Sequence, residues 1–596
     1  MIKENLVKYI RLFDKSDKRY FFIILLLAFV VVILETLSIG LIIPALHVIS
    51  SFDSNENTLK IFSFIGLEDY SKEKLFIISV LTLLLVYTVK ALFLTFASYK
   101  EHDYLTRVKL NFSKKLFSIY LTKPYAFHLK TNSSKLIRNL LDLKRFSTVM
   151  MSGSSIITEI AVMLSVLTLL LIYEPIGALS SFTIFGLFSY LFHKKIQIHA
   201  RKWGELRHTY EGYQIKNMTG SFGAIKEIKV FGKEKQFIKD FMENATIAIE
   251  TEFKKHAFTN TLPRFWFEWI TVLGMIILVF VLYSYNSQSS NLIPTLGLFG
   301  AAAFRLVPSV VRIMTHLQKL KYNYPVISTL SEEINSSKEE LNIISKNILN
   351  IHGAIKGINF SNKIEIKKLS FKYSESDKKI LDNISLDINY GSVIGIVGES
   401  GVGKTTLINL LLGLIKPVSG DILVDGKNIF KNLRGWQNKI GYVPQNIFLF
   451  DDTIKKNIAF GLEENKIDRQ RIAKSIRDSQ LERLISETAQ GVDAKIGEFG
   501  DRLSGGQKQR IGIARALYIN PKVLIMDEST NSLDVTTEKK IVEELFQLRG
   551  KITIIIIAHR TTIFEKCDKV FRLNSNHQEK ITQSQLKEVE IPQNVL

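Results

Sequence analysis

The sequence predicts two fold classes joined in one chain: a membrane α-helical unit of six spans, then an α/β domain. Three observations carry this. Apolar runs of bilayer length crowd the first half, and short β-type runs alternate with helical patterns in the second. Between one such strand and the next helix stands Gly398-Glu399-Ser400-Gly401-Val402-Gly403-Lys404-Thr405-Thr406.

Composition sets the outer limits. The 596 residues are 46% hydrophobic and 23% charged, which is not the balance of a disordered chain. A net charge of +21 would suit nucleic acid, but the basic residues lie between the apolar runs of the first half, where a membrane protein carries them. The single cysteine, Cys567, excludes an intrachain disulfide and a multi-cysteine metal site.

The first apolar run, Phe21 to Leu34 and onward past Glu35 towards Ile49, is too long for a signal peptide and has no small-residue cleavage pattern. It reads as the first span. Leu75 to Tyr99, Ser155 to Tyr173, Ile176 to Phe192, Trp266 to Tyr283 and Leu292 to Ile313 supply five more, the last interrupted by Arg305 and Pro308. Residues 100–150 hold eleven Lys/Arg against three acids and residues 193–264 fourteen against eight, while 51–74 hold three against five. The N-terminus and both long basic segments are therefore expected in the cytoplasm. Leu105, Val108, Leu110 and Phe112 recur at helical spacing, so these segments read as membrane helices continuing beyond the bilayer. They are expected to turn around Lys123 to Ser134 and Thr219 to Lys229. In the outer loop, Leu59 to Ile65 fits either a short surface helix or a packed loop.

The expected boundaries are a transmembrane domain over 1–322, a polar linker over 323–360, a nucleotide-binding domain over 361–575 and a mobile polar tail over 576–596. Ile364 to Tyr373, Ile384 to Ile388, Val393 to Val397, Ile422 to Val424, Val523 to Met526 and Ile552 to Ile557 are the strand candidates.

A glycine-rich loop between strand and helix lets backbone N–H groups close on an anion at the positive end of the helix. Gly398, Ser400, Gly401, Gly403 and Thr406 form such a cradle, Lys404 reaches the outer phosphates and Thr405 can hold Mg²⁺. The strand Val523 to Met526 ends in Asp527-Glu528, which suits Asp527 to the metal side and Glu528 to polarising a water. A second anion-facing helix start is Leu503-Ser504-Gly505-Gly506-Gln507, although a Ser-Gly-Gly start also fits a plain helix cap.

Leu503 to Gln507 resembles the signature motif of ATP-binding cassette (ABC) proteins, and other cassette elements follow in order over roughly 361–575. Tyr373 resembles the aromatic that stacks on adenine, Gln445 in Gly441-Tyr442-Val443-Pro444-Gln445 the Q-loop, Ser532-Leu533-Asp534 the D-loop, and His559 the switch histidine. Asn531-Ser532 departs from the usual Ser-Ala pair. With six spans before one cassette, the whole chain resembles a half-size ABC exporter: a six-span membrane unit with an α/β P-loop NTPase cassette. The resemblance implies ATP and Mg²⁺ as cofactors, Lys404, Gln445, Glu528 and His559 in catalysis, and Thr405, Gln445 and Asp527 around the metal. Asp534 joins the nucleotide-binding set, and Ser504, Gly505, Gly506 and Gln507 complete the site of a second copy, so a homodimer is expected. It further implies coupling turns near Tyr125 to Ser134 and Ser221 to Lys229, and a bacterial cytoplasmic membrane location with the cassette inside.

Lys90, Arg264, Arg305 and Arg312 are cations in or beside apolar helices, where charge is expensive. Lys90 lies roughly 22 Å from the outer end of its span at about 1.5 Å per residue. They fit either a basic belt for an anionic head group or cations neutralised by Glu35, Glu159 or Glu268, with snorkelling at the inner interface. Glu35 to Pro44, Pro263-Arg264, and Phe304 to Ser309 with Arg312 are similar to lipid-linked oligosaccharide flippases, which implies a membrane lipid partner bearing a polyprenyl-pyrophosphate glycan. An exporter of lipid A-type lipid, peptide or drug is the alternative. The six spans exclude a soluble, nucleic-acid-associated ATPase.

Overall fold

The computed structural model describes residues 15–42, 72–285, 292–336, 358–373, 378–528, 535–558, 561–575 and 584–589. The chain divides into two compact units, one taking in Met1–Lys123 and His128–Ile344, the other taking in Pro124–Phe127 and Ser345–Leu596.

The first unit is helical. Six long helices fall on the six expected spans: α1 (Lys15–Gly40), α2 (Lys72–Thr122), α3 (Leu143–Tyr173), α4 (Pro175–Gly223), α5 (Leu262–Tyr285) and α6 (Leu292–Tyr322). Among the described residues, Arg19–Gly40, Phe76–Thr122, Ser133–Tyr173 and Gly297–Tyr322 are long and apolar enough to cross a bilayer. At about 1.5 Å per residue, the 51 residues of α2 and 49 of α4 run roughly 75 Å, against about 30 Å of hydrocarbon. Both helices therefore extend well past the membrane. The outer half of α2 turns Leu84, Leu85 and Leu92 outward, 63 to 68% exposed, as lipid-facing side chains are. α6 runs through Pro308 without interruption.

Short helices mark the expected turns: Tyr125–Lys130 and Ser133–Leu141 after α2, and Ile225–Phe231 after α4, which Gly232 ends in the left-handed region at φ 60°. The buried stripe of the α2 extension is Tyr104, Val108, Phe112 and Leu116, four residues apart. Leu110, expected on that stripe, is exposed, because it stands on the opposite face. The stripe packs with Phe146 and with Val326, Leu330 and Ile334. Those last three belong to a helix, Tyr324–Ser336, inside the stretch expected to be a linker. Its apolar residues are spaced by four among polar ones, so a polar reading of the composition hides an amphipathic helix. Gly204 marks a close approach within this unit: a Cβ there would stand 2.0 Å from the Tyr322 carbonyl oxygen.

Among the described residues the second unit has two sheets. One is antiparallel, in the order β2-β1-β4-β5, from β1 (Lys363–Phe371), β2 (Leu381–Asn389), β4 (Ser419–Val424) and β5 (Lys427–Asn428). The other runs β10-β9-β3-β8-β7-β6, from β3 (Val393–Gly398), β6 (Ile440–Val443), β7 (Val523–Asp527), β8 (Thr553–Ile557), β9 (Lys569–Ser575) and β10 (Ser584–Val589). All its pairings are parallel except β10 on β9. Strand β10 lies in the tail expected to be mobile: six residues of that tail continue the sheet. Strands β3, β7 and β8 are buried and almost wholly aliphatic, as a sheet covered on both faces requires. Their carboxyl ends are level, since Ile557 pairs with Ile396 of β3 on one side and Asp527 of β7 on the other. Ligands bind at that edge in open α/β sheets.

Candidate nucleotide site and the membrane charge network

The glycine-rich loop leaves β3 at Gly398 and enters α7 (Lys404–Leu411). Gly401 and Gly403 take φ of 80° and 107°, the region that favours glycine. At Gly401 a Cβ would meet open space, whereas at Gly403 it would press on Ile380 at 2.9 Å. Hence Gly403 is held against the fold while Gly401 faces the opening. Lys404 is buried, and its Nζ donates to the loop's own carbonyls, Gly398 O at 2.7 Å and Glu399 O at 3.0 Å. The ammonium is thereby centred in the loop. Thr405 is exposed at the helix start and Thr406 is buried, with its Oγ1 3.4 Å from the Tyr373 hydroxyl. Tyr373 itself packs edge-on against Phe371.

Asp527 is 3% exposed at the end of β7. Burial, with the Glu528 carboxylate beside it, holds its carboxyl above the usual carboxylate range, against the opposing pull of Lys404. Glu528 sits at φ 46°, uncommon for a residue with a side chain, and its N–H donates to Ile557 O at 2.9 Å. Gln445 Nε2 donates to Glu528 Oε2 at 2.7 Å. The two residues expected to meet at a metal and a water thus meet each other directly. Adjacent carboxylates at a strand end, facing a lysine-centred loop, suit a triphosphate with a divalent cation.

Ser504 opens α8 (Gly505–Tyr518) with a capping box: its Oγ accepts from Gln507 N, and Gln507 Oε1 accepts from Ser504 N. The cap accounts for Gln507, while exposed Ser504 keeps a hydroxyl proton to donate. Leu503 and α8 pack in a core with Leu449, Ile454, Ile472 and Ile496. Leu407 and Leu411 of α7 belong to a different core, with β1, β2 and β4. The expected signature and the phosphate loop are therefore built on separate cores of one cassette. Asp534 and His559, like Asn531 and Ser532, lie outside the described residues.

One residue in this region escapes sequence reasoning. Arg515 of α8 donates through Nη1 to Phe448 O at 3.0 Å and through Nε to Asn457 O at 2.8 Å. It fixes the segment following Gln445 to the helix that carries the signature. An arginine inside the apolar run Ile511 to Leu517 was the only visible signal.

In the membrane unit each of the four expected cations has a carboxylate partner. Arg264 pairs with Glu268 one turn along at 2.9 Å. Lys90 Nζ lies 2.8 Å from Glu35 and 3.0 Å from Ser38 Oγ. Arg305 contacts both Glu35 (3.0 Å, an ion contact without hydrogen-bond geometry) and Glu159 (3.4 Å), and donates to Ser309 Oγ at 2.7 Å. Arg312 meets Glu159 through Nε at 2.6 Å. Arg305 and Arg312 share a helix face, as their spacing of seven requires. The cations are therefore paired with carboxylates in a chain from α2 through α1, α6 and α3, since a bare cation among apolar helices is costly.

Known proteins resemble both units. The ABC transporter family model matches residues 381–531. A solved bacterial Atm1-family ABC exporter with ATP bound has the same fold, at TM-score 0.74 and 20% identity over 94% of each chain. In both units the chain is similar to half-size ABC exporters. An ATP-dependent lipid A-core flippase of Francisella tularensis subsp. tularensis (strain FSC 198) is 28% identical to the exporter over 487 residues, 78% of this chain and 75% of that one. Another, from Coxiella burnetii (strain RSA 493 / Nine Mile phase I), is 32% identical over 365 residues, 61% and 60% of the two chains. The exporter binds ATP, couples its hydrolysis to transport, and spans the bacterial inner membrane several times with its cassette in the cytoplasm.

Proposed function

We propose that the exporter works as a homodimer that moves an amphiphilic lipid with a phosphorylated head group, of lipid A type, across the membrane. The observation that carries the reading is the extent of the Francisella likeness. Its 487 residues are more than twice the length of the cassette, so the similarity runs well into the membrane unit, where a substrate is chosen. The cluster of Lys90, Arg305 and Arg312 supports a phosphorylated head group, with Arg264 at the edge of α5 as a further contact. A lipid-linked oligosaccharide, with its pyrophosphate, is the second reading, favoured by Glu35 to Pro44 and Phe304 to Ser309.

In the cassette, Lys404 and the loop N–H groups hold the β and γ phosphates, and Tyr373 stacks on adenine. Thr405, Gln445 and Asp527 would hold Mg²⁺, which adds charge neutralisation at the phosphates. Glu528 parts from Gln445 when the site fills, orients the attacking water and takes the water's proton; His559 contacts the γ-phosphate. Ser504 and Gly506 complete the site of the partner copy, with Gly505, Gln507 and Asp534 shaping that junction, so ATP joins two cassettes and hydrolysis parts them.

The deciding experiment is ATPase stimulation and lipid translocation by the full-length protein in vesicles containing diphosphoryl lipid A, a polyprenyl-pyrophosphate glycan, or neither. Lipid A is expected to give the larger stimulation. Stimulation by the polyprenyl-pyrophosphate glycan alone would replace the first reading by the second, and stimulation by neither would remove both.

A further inference from the structure

Five charged side chains of the membrane unit form one continuous chain, Lys90–Glu35–Arg305–Glu159–Arg312, and its two ends differ. At the inner end Lys90, Glu35 and Arg305 are 13, 7 and 17% exposed, whereas Arg312 at the other end is 46% exposed. Three cations share two carboxylates, which leaves one positive charge in excess. Glu159 is the joint. Both its oxygens face Arg312, Nε at 2.6 Å and Nη2 at 3.4 Å, and one of them also faces Arg305.

We propose that Glu159 is a positioning residue for transport: it serves as a built-in counter-ion on Arg312, and an anionic head group loads by taking its place. The inference rests on the lipid-export reading above. A phosphate oxygen pair matches the guanidinium fork as a carboxylate does, so one anion replaces another with no guanidinium stranded during the exchange. Arg305 stays in place as Glu159 lets go of Arg312, because Glu35 and Ser309 still hold it. When the head group leaves, Glu159 returns to Arg312. The carboxylate thus weakens loading, speeds release and rejects neutral head groups, which cannot displace it.

The test uses full-length protein in phosphatidylcholine nanodiscs containing diphosphoryl lipid A or its dephosphorylated counterpart. Two quantities are read: the lipid fraction giving half-maximal ATPase stimulation, and the rate at which phenylglyoxal modifies Arg312, followed by peptide mass spectrometry. Glu159→Gln is expected to lower the half-stimulating fraction of diphosphoryl lipid A by about fivefold or more, with the maximal stimulated rate changing less. It should also speed Arg312 modification several-fold, and Glu159→Asp should behave as wild type in both. Arg312→Gln is expected to raise the half-stimulating fraction. An unchanged fraction and labelling rate in Glu159→Gln, or an equal shift with the dephosphorylated lipid, overturns the proposal. If neither lipid stimulates wild type, the export reading fails separately, and labelling alone decides the role of Glu159. If Glu159→Gln does not yield folded protein, an unchanged half-stimulating fraction in Arg312→Gln overturns it.

Discussion

The exporter handles buried charge in opposite ways in its two units. At the end of β7 two like charges, Asp527 and Glu528, are left side by side, and Lys404 rests on neutral carbonyls. In the membrane unit each of the four cations has a carboxylate within reach. The cassette meets a ligand of high and fixed charge, so adjacent carboxylates can stand in a rigid frame of strand ends, with Gln445 and Lys404 as their nearest partners. The membrane helices must stand stable in a low-dielectric slab whether or not a substrate is present. Two adjacent carboxylates are tolerable where a divalent cation arrives with the nucleotide.

The sharpest way to break this comparison is at Glu528. If the carboxylate serves the chemistry, Glu528→Gln should reduce ATPase activity by about 10²- to 10⁴-fold, with nucleotide still bound. Turnover in detergent and binding of a fluorescent ATP analogue check it; a variant hydrolysing within tenfold of wild type would move the base elsewhere.

Second in size is the membrane pair. Removing Glu35 by Glu35→Gln leaves Lys90 without its carboxylate and Arg305 with Glu159 and Ser309, and breaking a buried pair costs about 3–5 kcal/mol. A large fall in the melting temperature of the purified protein is expected, partly restored in Glu35→Gln/Lys90→Gln. Equal melting of wild type and Glu35→Gln would mean that the network carries no stability.

A smaller effect belongs to Gly204 of α4. Gly204→Ala must push α4 off the Tyr322 carbonyl, an overpacking that costs about 1–3 kcal/mol. The same substitution at Gly220, where a Cβ meets nothing within 4 Å, serves as the control and should be neutral or slightly stabilising.

What sequence could and could not convey follows the same division. Gly398 to Thr406, Asp527-Glu528 and Leu503 to Gln507 were legible because phosphate chemistry fixes residue types at short spacing, and strand and helix context confirms them. The membrane network joins Glu35, Lys90, Glu159 and Arg305, up to 270 residues apart, so no local spacing records which carboxylate meets which cation. Helix Tyr324–Ser336 was hidden by its polar composition, although its apolar residues are correctly spaced for burial. Arg515 had no motif at all, since its partners Phe448 and Asn457 offer backbone carbonyls that any residue would provide.

The smallest and most diagnostic effect concerns Asp527. Its carboxyl is held above the usual range by burial and by Glu528, so the folded state binds this proton more tightly than the unfolded chain does. The stability that follows is fully present below the unfolded value near pH 4 and is lost as pH rises through the raised folded value. Asp527→Asn removes the penalty and should stabilise the nucleotide-free protein by about 1 kcal/mol, an advantage that is smallest near pH 4 and grows with pH. With Mg²⁺ and ATP the order should reverse, because the wild-type carboxylate then has a cation to meet. Melting of both proteins across this pH range, with and without nucleotide, reads both signs at once; an Asp527→Asn advantage that shrinks with rising pH would show that the site is not held in like-charge tension.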